Sequence, residues 1–150
     1  MIYLASDHAG FELKKSICGF LKQEGIEFTD MGPDTYVETD DYPDFIIPAA
    51  QKVAENSGAD RGIVIGGSGQ GEAIAANKVK GIRAALYYGG PSDIISLSRV
   101  HNNANVLSLG ARFLTADEAI AAVKLWLKTP FSEEERHIRR IEKINNLKKI

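Results

Sequence analysis

The sequence between positions 62 and 72 reads Gly62-Ile63-Val64-Ile65-Gly66-Gly67-Ser68-Gly69-Gln70-Gly71-Glu72. Its first four residues are typical of a buried strand, and residues 73–78 predict a helix. The glycines between them allow a backbone to approach a ligand closely, because they have no Cβ. The helix that follows directs its free N–H groups and the positive end of its dipole into the loop. This stretch therefore predicts a strand, a loop and a helix that together form a site for an anion.

The glycine loop, residues 66–71, admits two interpretations. It lacks the Gly-Lys-Ser/Thr ending of a P-loop, and Glu72 breaks the GxGxxG spacing of dinucleotide-binding motifs. The loop is either a site for a phosphate or oxyanion, or a tight structural turn. Glu72 is likewise either a favourable partner for the helix dipole or a general base beside the anion site.

Strand and helix patterns alternate along the whole chain. Strands are expected at residues 2–5, 27–31, 62–65, 82–87 and 106–109. Helices are expected near residues 10–24, 43–56 and 73–78, after Gly89-Gly90-Pro91, and from Thr115 and Ser132. This alternation predicts one domain, residues 1–150, with a five-stranded parallel sheet and helices on both faces. The fold class is a three-layer α/β fold, Rossmann-like or flavodoxin-like.

In folds of this class, ligands bind at the carboxyl ends of the strands. Three segments fall there: Asp7-His8 after the first strand, the glycine loop after the third, and Gly110-Ala111-Arg112 after the fifth. We therefore expect them to share one site.

Several helix ends have recognisable signals. Gly25 is expected to end the first helix, and Pro91 to lie in the first turn of the fourth. Capping boxes are predicted to start the last two helices, at Thr115 and at Ser132. The last helix, about residues 132–147, follows the final strand, so it does not connect two strands of the sheet. We expect it to be an arm that packs on another subunit.

Composition excludes several classes of protein. A formal net charge of −2 argues against nucleic acid or an anionic membrane as a partner. No segment has the length of a transmembrane helix, and the first residues lack the pattern of a signal peptide. The single cysteine, Cys18, excludes an internal disulfide and a thiolate metal cluster. We therefore expect a cytoplasmic protein.

The three histidines, His8, His101 and His137, lie outside the apolar runs and titrate near neutral pH. Their spacing and the lack of an acidic cluster give no metal-binding signature. Asp7 can either cap the first helix or, with His8, contact the hydroxyls or phosphate of a substrate.

Arg136 and Arg140 are four residues apart and so share one face of a helix. Two guanidinium groups placed in this way can bind one phosphate. On charge alone, a solvated basic face paired with residues 133–135 is the favoured interpretation.

Six short motifs are spread over essentially the whole chain. They are Ser6-Asp7-His8-Ala9-Gly10, Asp41-Tyr42-Pro43, residues 66–72 with Ala75-Ala76-Asn77-Lys78, His101-Asn102-Asn103-Ala104-Asn105, Gly110-Ala111-Arg112 and Arg136-His137-Ile138-Arg139-Arg140. In this order they resemble the ribose-5-phosphate isomerase B family, which also contains the galactose-6-phosphate isomerase subunits. The resemblance implies a Rossmann-like sheet and interconversion of ribose 5-phosphate with ribulose 5-phosphate, without cofactor or metal. Many members have a catalytic cysteine at the position of Gly66; this chain resembles the branch with glycine there and glutamate at position 72.

The resemblance also implies a role for each matching residue. Glu72 is the base that moves a proton between C2 and C1 through a cis-enediolate. The backbone N–H groups of Gly67, Ser68, Gly69, Gln70 and Gly71 stabilise the charge that develops on oxygen. Ser68 moves a proton between O1 and O2, His101 opens the furanose ring, and Asp7 assists. Asn102 contacts hydroxyls and Tyr42 lines the sugar site, while the phosphate is held by His8, Arg112, Arg136 and Arg140.

Two alternatives stay open. The runner-up among enzymes is an isomerase of a hexose 6-phosphate, such as allose or galactose 6-phosphate, because one extra CH–OH changes only the depth of the pocket. A non-catalytic sensor of a sugar phosphate or nucleotide would need the anion loop but no base.

The topology also predicts a homo-oligomer. The helix before the fifth strand runs from the carboxyl edge of the sheet back to the amino edge, so His101 lies on the wrong side for Glu72 of the same chain. If both residues act on one sugar, as the resemblance implies, His101 comes from a neighbouring subunit. We therefore expect a dimer or tetramer with active sites at the dimer interface.

Overall fold

The structure is a computed structural model that describes residues 1–147. Its five strands are β1 (Ile2–Ser6), β2 (Phe28–Asp30), β3 (Arg61–Gly66), β4 (Ala84–Tyr87) and β5 (Val106–Gly110). Its helices are α1 (Phe11–Gln23), α2 (Pro43–Glu55), α3 (Gln70–Asn77), α4 (Asp93–Val100), α5 (Ala116–Lys128) and α6 (Glu135–Asn145). The prediction of a five-stranded parallel α/β sheet is confirmed.

The strand order in the sheet is β2-β1-β3-β5-β4, and every neighbouring pair is parallel. From β1 the chain first moves to β2 on one side, and later to β3 on the other. The sheet therefore changes direction between β1 and β3, which opens a crevice at their carboxyl ends. β5 lies between β3 and β4, so the last strand in sequence is central and β4 is an edge strand.

Helices cover both faces of the sheet. α1, α4 and α5 pack on one face, where Ile17, Leu107 and Trp126 are buried. α2 and α3 pack on the other face, against Val64. β3 is buried on both sides, which explains why its sequence is a continuous apolar run and not an alternating one. None of the helices within residues 1–147 is both long and apolar enough to cross a bilayer.

One of the two predicted capping boxes is present. The Thr115 hydroxyl accepts a hydrogen bond from the Glu118 N–H at 3.2 Å, and the Glu118 carboxylate accepts one from the Thr115 N–H at 2.8 Å. The box predicted at Ser132 is wrong, because α6 begins only at Glu135. Glu133 has a φ of 56°, in the left-handed region, and this interrupts the helix path between Ser132 and Glu135.

Two other predicted helix ends can be compared with the structure. Gly25 follows α1 with a φ of 66°, as expected for a glycine that ends a helix. Pro91 precedes α4 and is not in its first turn. The Pro91 carbonyl accepts a hydrogen bond from the Ile94 N–H, and the Ser92 carbonyl accepts one from the Ile95 N–H. Each bond spans three residues, as in a 3₁₀-helix, so a turn of this tighter kind precedes α4.

Candidate active site

The glycine loop is fixed against the backbone of β5. Gly69 immediately precedes α3 with a φ of 76°, and a Cβ at this position would lie 2.9 Å from the carbonyl of Leu109. Both the conformation and the close approach require glycine. The loop therefore places the first N–H groups of α3 at the carboxyl edge of the sheet.

A buried hydroxyl group also fixes the glycine loop, through a hydrogen bond. Ser108, on β5, is fully buried and donates a hydrogen bond to the Gly69 carbonyl at 2.6 Å. The N–H of Arg112 donates to the Gly67 carbonyl at 3.0 Å. Ser108 was not predicted as a site residue, although a polar residue in the otherwise apolar run Val106–Gly110 was a usable signal.

Glu72 is the third residue of α3, and its side chain points into the protein. Only 4% of the residue is exposed. Burial raises the pKa of its carboxyl above the ordinary value, and the charge of Asp7 raises it further, while a hydrogen bond from its own N–H acts in the opposite direction. A Cβ at position 66 would overlap the Glu72 carboxylate. Glycine at the end of β3 is therefore what makes room for this carboxylate.

Asp7, His8 and Asp40 form a polar cluster, and Asp7 is close enough to Glu72 for its charge to raise the pKa of the Glu72 carboxyl. One oxygen of Asp7 accepts a hydrogen bond from the Gly10 N–H at 3.0 Å, and the other lies 4.0 Å from His8 Nδ1. His8 Nδ1 lies 2.7 Å from Oδ1 of Asp40. This hydrogen bond raises the pKa of His8, as does the charge of Asp7, whereas partial burial and Arg112 lower it. Asp40 was not predicted from the sequence.

The same three residues are the group in residues 1–147 best placed to hold a cation. Each offers one ligand atom, and these atoms lie within 4.8 Å of one another. His8 Nδ1 and Asp40 Oδ1 already share a hydrogen bond, however. We therefore interpret the contact between His8 and Asp40 as a hydrogen bond that orients the imidazole.

Two further side chains flank the glycine loop. A Cβ at Gly67 would lie 3.0 Å from an Arg112 guanidinium nitrogen, and a Cβ at Gly71 would lie 2.8 Å from Cζ of Tyr42. The structure thus brings together, at one edge of the sheet, Asp7, His8, Tyr42, Gly67, Ser68, Gly69, Gln70, Gly71, Glu72 and Arg112.

Four predicted site residues lie elsewhere in the chain. His101 follows α4, and the carbonyl of Asn102 accepts a hydrogen bond from Arg83, just before β4. Both therefore lie at the amino edge of the sheet. The five residues of β5 separate the two edges by about 16 Å, at about 3.3 Å per residue.

Arg136 and Arg140 are exposed on α6, near His101. His137, between them in sequence, is buried and stacks on the His101 ring with the ring centroids 4.4 Å apart. Arg136 forms an exposed ion pair with Glu134 at 2.8 Å. A single chain therefore does not bring α6 or His101 to the glycine loop.

Comparisons with known proteins identify the family of this chain. A family model described as Ribose/Galactose Isomerase matches residues 2–144. Ribose-5-phosphate isomerase B of Mycobacterium tuberculosis is 48% identical over 141 residues, covering 94% of this chain and 85% of the relative.

Solved structures of related proteins have the same fold. Ribose-5-phosphate isomerase B of Mycoplasma genitalium, with bound ribulose-5-phosphate, has a TM-score of 0.91 and 47% identity over 96% of this chain and 93% of its own. A ribose 5-phosphate isomerase of Thermotoga maritima has a TM-score of 0.89 and 44% identity over 97% of both chains. The chain thus belongs to the Ribose/Galactose Isomerase family.

Proposed function

We propose that this chain interconverts ribose 5-phosphate and ribulose 5-phosphate, with Glu72 as the base and no cofactor. The observation that carries the proposal is the position of the Glu72 carboxylate, buried at the start of α3 and directly against the glycine loop. The M. genitalium relative, which contains ribulose-5-phosphate, supports the choice of a pentose phosphate.

The isomerisation requires a proton to leave C2 and return at C1 through a cis-enediolate. Glu72 takes the C2 proton, and the same carboxyl delivers it to C1, so one group serves both half-reactions. A raised pKa suits this role, because it makes the carboxylate a stronger base. The backbone N–H groups of residues 67–71 stabilise the negative charge on the enediolate oxygens. Ser68 moves the remaining proton between O1 and O2.

The other residues bind and open the sugar. His8 and Arg112 of the same chain hold the phosphate, Tyr42 lines the sugar site, and Asp7 contacts a hydroxyl or the ring oxygen.

The remaining groups come from a second copy of the chain. His101 opens the ring, Asn102 contacts hydroxyls, and Arg136 and Arg140 complete the phosphate site, in a homodimer or a dimer of dimers with active sites at the interface. A phosphorylated substrate and a single cysteine are both consistent with work in the cytoplasm.

The first test replaces the base. Glu72→Gln keeps the shape of the side chain but cannot accept a proton, so we expect kcat to fall by at least ~100-fold. Inhibition by inorganic phosphate should be unchanged.

Glu12→Gln is the matched control. Glu12 also lies in the first turn of a helix, α1, but it is exposed and pairs with Lys15 at the surface. If Glu72 is only a partner for the helix dipole, both variants will keep their activity.

Substrate choice is measured in the same preparation. We expect kcat/KM for ribose 5-phosphate to exceed that for allose 6-phosphate and galactose 6-phosphate. A higher value for either hexose would assign the chain to the hexose alternative. Binding of sugar phosphates without turnover of any of them would identify a sensor.

A further inference from the structure

Asp40 contacts His8 twice from 32 residues away in sequence. It lies in the loop between β2 and α2, and its Oδ1 accepts a hydrogen bond from the backbone N–H of His8 at 3.0 Å. The same oxygen lies 2.7 Å from Nδ1 of the His8 ring. One carboxylate oxygen thus fixes both the backbone and the ring of the same residue.

The environment of Asp40 favours a positive charge on His8. The Asp40 side chain is only 8% exposed, and His8 is its one salt-bridge partner within residues 1–147. Its second oxygen, Oδ2, is buried with no hydrogen-bond partner in this part of the chain. A buried carboxylate is costly unless a cation compensates its charge. Protonated His8 provides that cation.

Other groups around His8 leave this conclusion unchanged. The carboxylate of Asp7 raises the pKa of His8, and the guanidinium of Arg112 lowers it. The Tyr36 ring packs edge-on with its centroid 6.4 Å from that of His8. The net effect on the pKa is upward, and the hydrogen bond to Asp40 is its largest cause.

We propose that Asp40 is a positioning residue for His8, whose ring it holds by Nδ1 so that Nε2 donates a hydrogen bond to the phosphate group of the substrate. The His8 side chain is 26% exposed, so a ligand can reach it. The proposal rests on the proposed function, in which His8 binds the phosphate. In this proposal Asp40 acts on the substrate only through His8, which its Oδ1 contacts at both the backbone N–H and the ring.

The test combines single and double variants. Asp40→Asn keeps an oxygen that can accept both hydrogen bonds but removes the charge, and His8→Gln removes the ring. We expect Asp40→Asn to raise both KM for ribose 5-phosphate and the inhibition constant of inorganic phosphate about tenfold, with kcat little changed. Without the charge of Asp40 the His8 ring is less often protonated, and a neutral ring makes a weaker hydrogen bond to phosphate. In the His8→Gln background, Asp40→Asn should have no further effect.

Glu38→Gln is the control, because it removes an exposed carboxylate from the same loop. It should leave every one of these constants unchanged. An equal effect of Asp40→Asn with and without His8 would overturn the proposal, since Asp40 would then act independently of the ring.

NMR titration of the histidine rings gives a readout that does not depend on turnover. In the wild-type protein, the His8 ring should titrate above its ordinary value of 6.5, with Nδ1 protonated. Phosphate affinity should fall as the pH rises through that pKa, and in Asp40→Asn this fall should begin at lower pH. An ordinary wild-type titration would overturn the proposal without any variant having to fold.

A failure of the proposed isomerase function and a failure of the proposed role of Asp40 give different results. If the wild-type protein turns over no sugar phosphate, the proposed function fails, while ring titration and phosphate binding still decide the role of Asp40. If turnover is normal but Asp40→Asn changes neither the ring pKa nor phosphate affinity, only the role of Asp40 is wrong.

Discussion

Two inactive variants of this chain, Glu72→Gln and His101→Asn, are expected to restore activity when they assemble into one dimer. A base acting at C2 and an acid acting at the ring oxygen must each lie within about 3 Å of its target atom, and both target atoms are bonded to C1 of the same sugar. In a single chain, Glu72 and His101 lie at opposite edges of the sheet, about 16 Å apart along β5. The two groups can meet only if they come from different subunits.

The size of the recovery follows from counting sites. Random reassembly of equal amounts gives about half mixed dimers, each with one site that contains both wild-type residues. We expect about a quarter of the wild-type activity per chain, where either variant alone gives almost none.

The assay is to unfold the two purified variants together, refold them, and measure isomerisation of ribose 5-phosphate. Different affinity tags on the two chains show that mixed dimers have formed. Each variant refolded alone provides the background. Mixed dimers with no more activity than that background would refute the shared site, because each chain would then supply its own Glu72 and His101.

Two other predictions concern the phosphate and the base. Arg136→Ala or Arg140→Ala should raise KM for ribose 5-phosphate by about tenfold or more while free ribose remains a very poor substrate, and Arg139→Ala, which removes the same charge from α6, should not. For Glu72, burial raises the pKa in the folded state above the unfolded value near 4.5, so the ionised carboxylate destabilises the fold at neutral pH. The melting temperature of Glu72→Gln should therefore exceed that of the wild type at pH 7.5, with the difference shrinking as the pH falls toward 4.5. A difference independent of pH would show that the carboxylate is not the cause.

The parts of the structure that the sequence predicted are those with local signals. The glycine loop, the buried run of β3 and the Thr115 capping box each depend on residues a few positions apart. The order of the strands has no such signal, because alternation of strands and helices predicts parallel strands but not that β5 lies between β3 and β4. The error at Ser132 arose because the motif does not reveal the backbone conformation of Glu133.

The residues of the candidate site divide in the same way, into those that have a local sequence signal and those that have none. Residues that directly follow strands, such as Asp7, His8 and Arg112, could be assigned to one edge from topology alone. Asp40 could not, because its contact with His8 depends on the path of a loop 32 residues further along the chain. Ser108 does have a local signal, because it is the one residue with a polar side chain in the strand Val106–Gly110.

The overlap between a Cβ at position 66 and the Glu72 carboxylate limits which substitutions this site accepts. One volume at the end of β3 holds either a side chain at position 66 or the carboxylate of residue 72, and a chain with both would be overfilled. Under the proposed mechanism, in which Glu72 is the base, a chain with neither would lack a base. An exchange of this carboxylate for the thiol that the resemblance implies in other members would therefore need two coupled substitutions, at positions 66 and 72.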